Sequence, residues 1–209
     1  MLASFVMAEP PEELSWLDYF SGGVPTGEYF RMILEHLRKL VDPAKDEFPS
    51  ILIEVCYIGL VSYFEAFCKD HFAAIINILP TTAIRLRDKG HEVNALYGAL
   101  VTVTPFSKDE ASVYDEVLRA RNLLVHHGGT FTSSYLEQMH SAGLDPGSSR
   151  VFFDSLVLTK DAFFREIHFF EGVARKLLRS THTAMNRMVA EEGLTIGKER
   201  QKAIDALLW

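Results

Sequence analysis

The sequence predicts an all-α protein, a helical bundle built around two long helices, with one small hairpin flanking residues 130–158. Three observations point there. Apolar residues recur at helical spacing, as in the stripe at positions 29, 30, 33, 34, 37, 40 and 41. Glycine (13) and proline (8) are few and sit between apolar stretches, whereas a many-stranded sandwich needs turn residues at short regular intervals. Apolar residues make up 48% and charged residues 23% of the 209 positions, a globular balance that excludes disordered and fibrous classes. Residues 1–25 read as an acidic lead-in and 26–209 as a single helical domain.

The elements follow in order. Glu28 to Val41 carries the stripe and ends at Asp42-Pro43, because the residue before a proline avoids the helical region. Pro49 opens the longest apolar segment, Ser50 to Leu79, closed by Pro80. Thr81 to Lys89 reads as a short basic helix, and Val101-Thr-Val-Thr within 90–107 is β-like. Ser107 or Asp109 can cap a helix running into Leu123-Leu124-Val125, which Gly128-Gly129 stops. Residues 131–150 read as irregular, with Asp145-Pro-Gly as a turn, and Val151 to Leu158 as strand-like. Thr159 caps a second long helix, Lys160 to Glu191, and Lys198 to Leu208 closes the chain.

The net charge is −7, unlike that of a nucleic-acid sponge. It is uneven: residues 1–50 carry −5 and residues 151–209 carry +1, so a local basic surface can exist in the second half. Cys56 and Cys68, alone in apolar surroundings, suggest no disulfide framework and a reducing compartment. The start has no basic region ahead of its apolar residues, and Val55 to Phe64 is too short a charge-free run to span a bilayer. The expectation is a cytoplasmic protein with no membrane association.

Chemistry concentrates in Glu116-Val-Leu-Arg-Ala-Arg-Asn-Leu-Leu-Val-His-His-Gly-Gly. On a helix Asn122 and His126 share a face, and Arg119 aligns with His126. Arg121 lies about 140° round from His126, so a long reach or a loosened helix is needed to join them. An imidazole can move a proton near neutral pH, and a guanidinium can hold phosphate oxygens and stabilise a five-coordinate phosphorane. A helix C-terminus attracts a cation, which suits a general acid. Without a metal the natural nucleophile is the 2′-hydroxyl of RNA.

Arg121-Asn-Leu-Leu-Val-His126, an Arg-Asn-x-x-x-His string, resembles the signature of the HEPN superfamily (higher eukaryotes and prokaryotes nucleotide-binding domain). The Gly-Gly stop and the preceding apolar helix bearing the acid Glu65 agree with it over roughly residues 30–190. Many such proteins are metal-independent RNases of toxin–antitoxin and antiviral defence systems, working as homodimers in which the Arg and His of two protomers face one cleft. The resemblance implies RNA as partner and an antitoxin or nucleotidyltransferase alongside. It implies Arg121 and His126 as the catalytic pair, Asn122 as polar support and Glu65 as an orienting acid, with His127 and Arg119 as supporting extras. The alternative is a catalytically silent interaction or regulatory module that binds a protein or nucleotide.

Other signals are weaker. Cys68-x-x-His71 with His126-His127 could supply zinc ligands, but no second such spacing supports it. Arg85/Arg87/Lys89 and Arg175/Lys176/Arg179/His182 form basic faces that read as solvated helix surface. Phe152, Phe153, Phe163, Phe164, Phe169 and Phe170 could stack bases, though the later ones have core spacing. Neither a glycine-rich phosphate loop nor a nucleophile elbow nor a dinucleotide fingerprint is present, so no cofactor is expected.

Overall fold

A computed structural model describes residues 14–42, 49–78, 106–146, 150–191 and 196–208. The expected basic helix at Thr81–Lys89 and the Val101-Thr-Val-Thr run lie outside them. Among the described residues the architecture is all-α: α1 (Thr26–Leu40), α2 (Ser50–Ile78), α3 (Lys108–His127), α4 (Ser133–Ser141), α5 (Lys160–Glu191) and α6 (Lys198–Asp205).

Central α2 packs against α1, α3 and α5, with α6 against its end. It is apolar on most sides because it must face several neighbours. It is long and apolar enough to cross a membrane, with mean hydropathy 1.7 over its most apolar window, as buried core helices also are. The ten-residue run Val55–Phe64 therefore understates it: the continuous helix has 29 residues. Phe64 lies where four helices meet. Fully buried, it touches Phe30 of α1, Phe67 of α2, Tyr114 of α3 and Phe170 of α5, with ring centroids 4.5 Å apart in the last pair. Tyr57 adds a tie to α3, its hydroxyl donating to the Val117 carbonyl at 3.5 Å. Cys56 and Cys68 are buried and form no disulfide, and burial raises both thiols above their ordinary range.

Inside the 1–25 segment, two 3-10 turns, Trp16–Tyr19 and Ser21–Gly23, bury Tyr19 and Phe20 in the main core. The Trp16 amide donates to Glu199 of α6 at 3.0 Å, and Arg200 of α6 donates to the Ile78 carbonyl at 2.9 Å. Residues 16–23 thus pack with the helical body.

Helix α3 is fastened at its start. Ser107, not Asp109, is its cap: Ser107 Oγ accepts from the Glu110 amide at 3.2 Å, and Glu110 accepts from the Ser107 amide at 2.7 Å. Glu110 also pairs with Lys176 of α5. Burial opposes the charged form of Glu110, yet Lys176 and Ser107 hold its carboxyl below the ordinary value. At the far end Gly128 sits at φ +56°, with its amide bonded to the Leu124 carbonyl. A Cβ there would meet open space, so Gly128→Ala tests backbone conformation alone. We expect a loss of about 1–2 kcal/mol in urea unfolding, with Asn losing less.

Two expectations change after Gly129. Residues 131–150 are not irregular throughout: α4 occupies Ser133–Ser141. Its cap is Thr132, whose Oγ1 accepts from the Tyr135 amide at 3.2 Å. Residues 151–158 form no strand. A turn leads to a single antiparallel bridge, Thr130 with Ser155, in place of the hairpin. Flanking bonds run from the Phe152 amide to the Phe131 carbonyl and from the Leu156 amide to the Gly129 carbonyl, each 2.9 Å. Ladder pairing stops there because the Arg150 carbonyl bends the chain by accepting from the amides of Phe153 and Asp154. A second, small core of Leu123, Phe131, Tyr135, Leu136 and Met139 holds α4 to the end of α3.

His71 lies fully buried on α2, its Nδ1 3.2 Å from Thr26 Oγ1. Burial disfavours the imidazolium and lowers the pKa from 6.5 to about 3. The unfolded chain then binds a proton that the folded one does not, between those two values. Stability should be level above pH 6.5 and fall as pH drops below it, by up to about 1.4 kcal/mol per pH unit. Urea unfolding between pH 5 and 7 should show this slope in the parent and lose it in His71→Gln. An unchanged slope in the variant would assign the proton elsewhere.

Candidate active site

The last turns of α3 carry the motif side chains, and α4 supplies the facing wall. Arg119, Asn122, His126 and His127 line a groove of about 200 Å³ together with Leu123, Thr132, Ser134, Tyr135 and Gln138. A wider polar trough continues from it along α4, past Arg119, Glu137, Gln138 and Ser141. Both histidines are exposed, with their rings 6.5 Å apart and inclined at 65°. Tyr135 is buried at the groove wall. Burial raises its phenol above the ordinary range, Glu116 adds to the rise and Arg119 opposes it.

Arg121 points elsewhere. The helix stays regular through His127, so nothing brings Arg121 round to His126. Its guanidinium turns toward α2, with Nη2 3.9 Å from Glu65 Oε2. Its Nη1 donates to Asn122 Oδ1 at 2.9 Å, and its buried Nε has no hydrogen-bond acceptor among the described residues. Asn122 therefore joins two halves: its carbonyl oxygen is held by Arg121, and its side chain lines the groove with His126. Glu65 owes its position to its neighbour, since anchoring Phe64 in the core places Glu65 at the half-exposed edge of α2 facing α3.

Comparison with family models, with curated proteins and with solved structures returns no match. The site rests on its own geometry.

Of the six residues the sequence singles out, four line the groove, and Arg121 with Glu65 sits behind Asn122. Thr132, Ser134, Tyr135 and Gln138 were missed with α4. A signal for them existed: a Thr cap followed by apolar residues at 135, 136 and 139, a helical spacing. Cys68 and His71 are buried in α2, away from the exposed His126 and His127, and no three potential metal ligands gather among the described residues. Several members of the basic face on α5 have partners within the chain: Arg175 pairs with Glu171, Lys176 with Glu110, and His182 lies 3.6 Å from Asp205. Arg85, Arg87 and Lys89 lie outside the described residues.

Proposed function

We propose that this chain is a HEPN-type, metal-independent endoribonuclease of defence or toxin type, acting as a homodimer. The carrying observation is the shared Asn122, which connects a guanidinium short of acceptors to a groove holding two exposed imidazoles. His126 moves the proton between the substrate 2′-hydroxyl or leaving oxygen and solvent. Arg121 has donors left over for phosphate oxygens, and Arg119 lies inside the groove. Because Arg121 and His126 diverge on one helix, the reading places the Arg of one protomer opposite the His of the other.

The chemistry fixes the test. Attack by a 2′-hydroxyl leaves 2′,3′-cyclic phosphate ends, proceeds in EDTA and spares DNA of the same sequence. Mass spectrometry of products from a single-stranded RNA reads all three. Cleavage of DNA, or abolition by EDTA, overturns the mechanism. The competing reading is a silent module in which Arg121, Asn122 and Glu65 form a structural network. It is favoured if the purified dimer cuts no RNA, and light scattering that finds a monomer at micromolar concentration removes the two-protomer site.

A further inference from the structure

The six phenylalanines between positions 152 and 170 divide sharply. Phe163 and Phe170 are fully buried, and Phe164 and Phe169 pack against the core. Phe152 and Phe153 stand 72% and 77% exposed, with Val157 beside them in sequence at 78%. Exposed aromatic pairs of this kind are costly to leave in water without a use.

The backbone is built to hold them out. Phe152 adopts φ +64°, a conformation that bulky side chains rarely take. It is kept there by its amide bond to Phe131 and by the turn closed on the Arg150 carbonyl. The Arg150 guanidinium lies 5.4 Å from the centre of the Phe153 ring. The tip is also tied to the candidate site. Phe131, Phe152's partner, directly precedes Thr132 of the groove wall, and Leu156 bonds Gly129 just after His127.

We infer that Phe152 and Phe153, with Arg150, form a stacking subsite for unpaired bases of the strand whose phosphate enters the groove. The inference rests on the reading of RNA as substrate and extends it to single-stranded RNA. Rings offer faces to any base, and Arg150 offers charge to the phosphate between bases. In a chain of net charge −7, whole-molecule attraction for a strand is weak, so stacking adds to the local charge of Arg150 in holding it. Duplex RNA keeps its bases inside and does not engage the tip.

Stacking is blind to the sugar, so DNA serves as an uncleaved probe. Fluorescence anisotropy with a labelled single-stranded DNA of mixed sequence should show binding to the full chain. Phe152→Ala/Phe153→Ala should weaken it about 5- to 150-fold for each base lost from the stack. Phe153→Trp should retain affinity, and its added indole emission should be quenched by the oligonucleotide. Equal affinity in parent and double variant, or no binding by the parent, overturns the inference. So does light scattering in which the double variant falls from dimer to monomer, because the rings then belong to contact with a second copy. If the parent binds through the rings yet cuts no RNA, the endoribonuclease reading fails and the subsite stands. If the parent cuts RNA and the double variant binds like the parent, the reverse holds.

Discussion

His126→Ala should lose RNA cleavage by about 10²- to 10⁴-fold, the usual worth of a general acid or base. The residue is exposed, so truncation should cost little stability, on the order of 0.5 kcal/mol. The variant should fold and dimerise like the parent while losing any growth-arrest phenotype. Arg121→Ala should show a catalytic loss of similar size, since a donor aimed at developing charge is worth as much. His127→Ala is the internal control. It lines the same groove but is rotated about 100° from His126, and its loss should be smaller. Single-turnover cleavage with circular dichroism on the same samples decides the matter. If His126→Ala unfolds the protein and the parent shows no nuclease activity, the motif is a structural network.

Phe64→Ala should destabilise the fold by about 3–5 kcal/mol, a large share of the stability of a domain this size. No solvent reaches the ring, and it is the meeting point of α1, α2, α3 and α5. Removing it leaves a cavity that four helices must close around, and no single one can move in without breaking another contact. Phe153→Ala, the same change at an exposed site, should alter stability by less than about 0.5 kcal/mol. Urea midpoints of the two variants measured together separate lost burial from lost aromatic character. A Phe64→Ala loss below about 1 kcal/mol would show that the four helices do not share one core.

The bundle was legible because its long helices repeat their apolar positions over many turns. Pro49, Ser107, Gly128 and Thr159 mark ends that the backbone uses, Thr159 through its hydroxyl accepting from the Ala162 amide at 3.1 Å. Helix α4 was hidden because it is short and rich in serine, and only Tyr135, Leu136 and Met139 are buried. The site was half legible for the same reason. Arg119, Asn122 and His126 share a face by spacing alone, and helical geometry already set Arg121 apart. The groove's other wall comes from tertiary docking, which one helix's periodicity does not encode. The aromatic set shows the limit at single residues: Phe152 and Phe163 look alike in composition, and only the turn at Arg150 places one in solvent while α5 places the other in the core.

The presence of two separate cores makes the two walls of the groove unequal in how readily they open. Helix α3 shares the main core and is pinned through Ser107, Lys176 and Gly128, so displacing it disrupts the main core. Helix α4 is held through three buried side chains of its own, Tyr135, Leu136 and Met139, packed on Leu123 and Phe131, and detaching it exposes little apolar surface. In native-state hydrogen exchange its amides should open at lower free energy than those of α3. The groove thus has a firmer jaw carrying the imidazoles and a more yielding jaw carrying Thr132, Ser134 and Gln138; on the proposed reading, a bulky strand would be admitted by moving the second while His126 keeps its place.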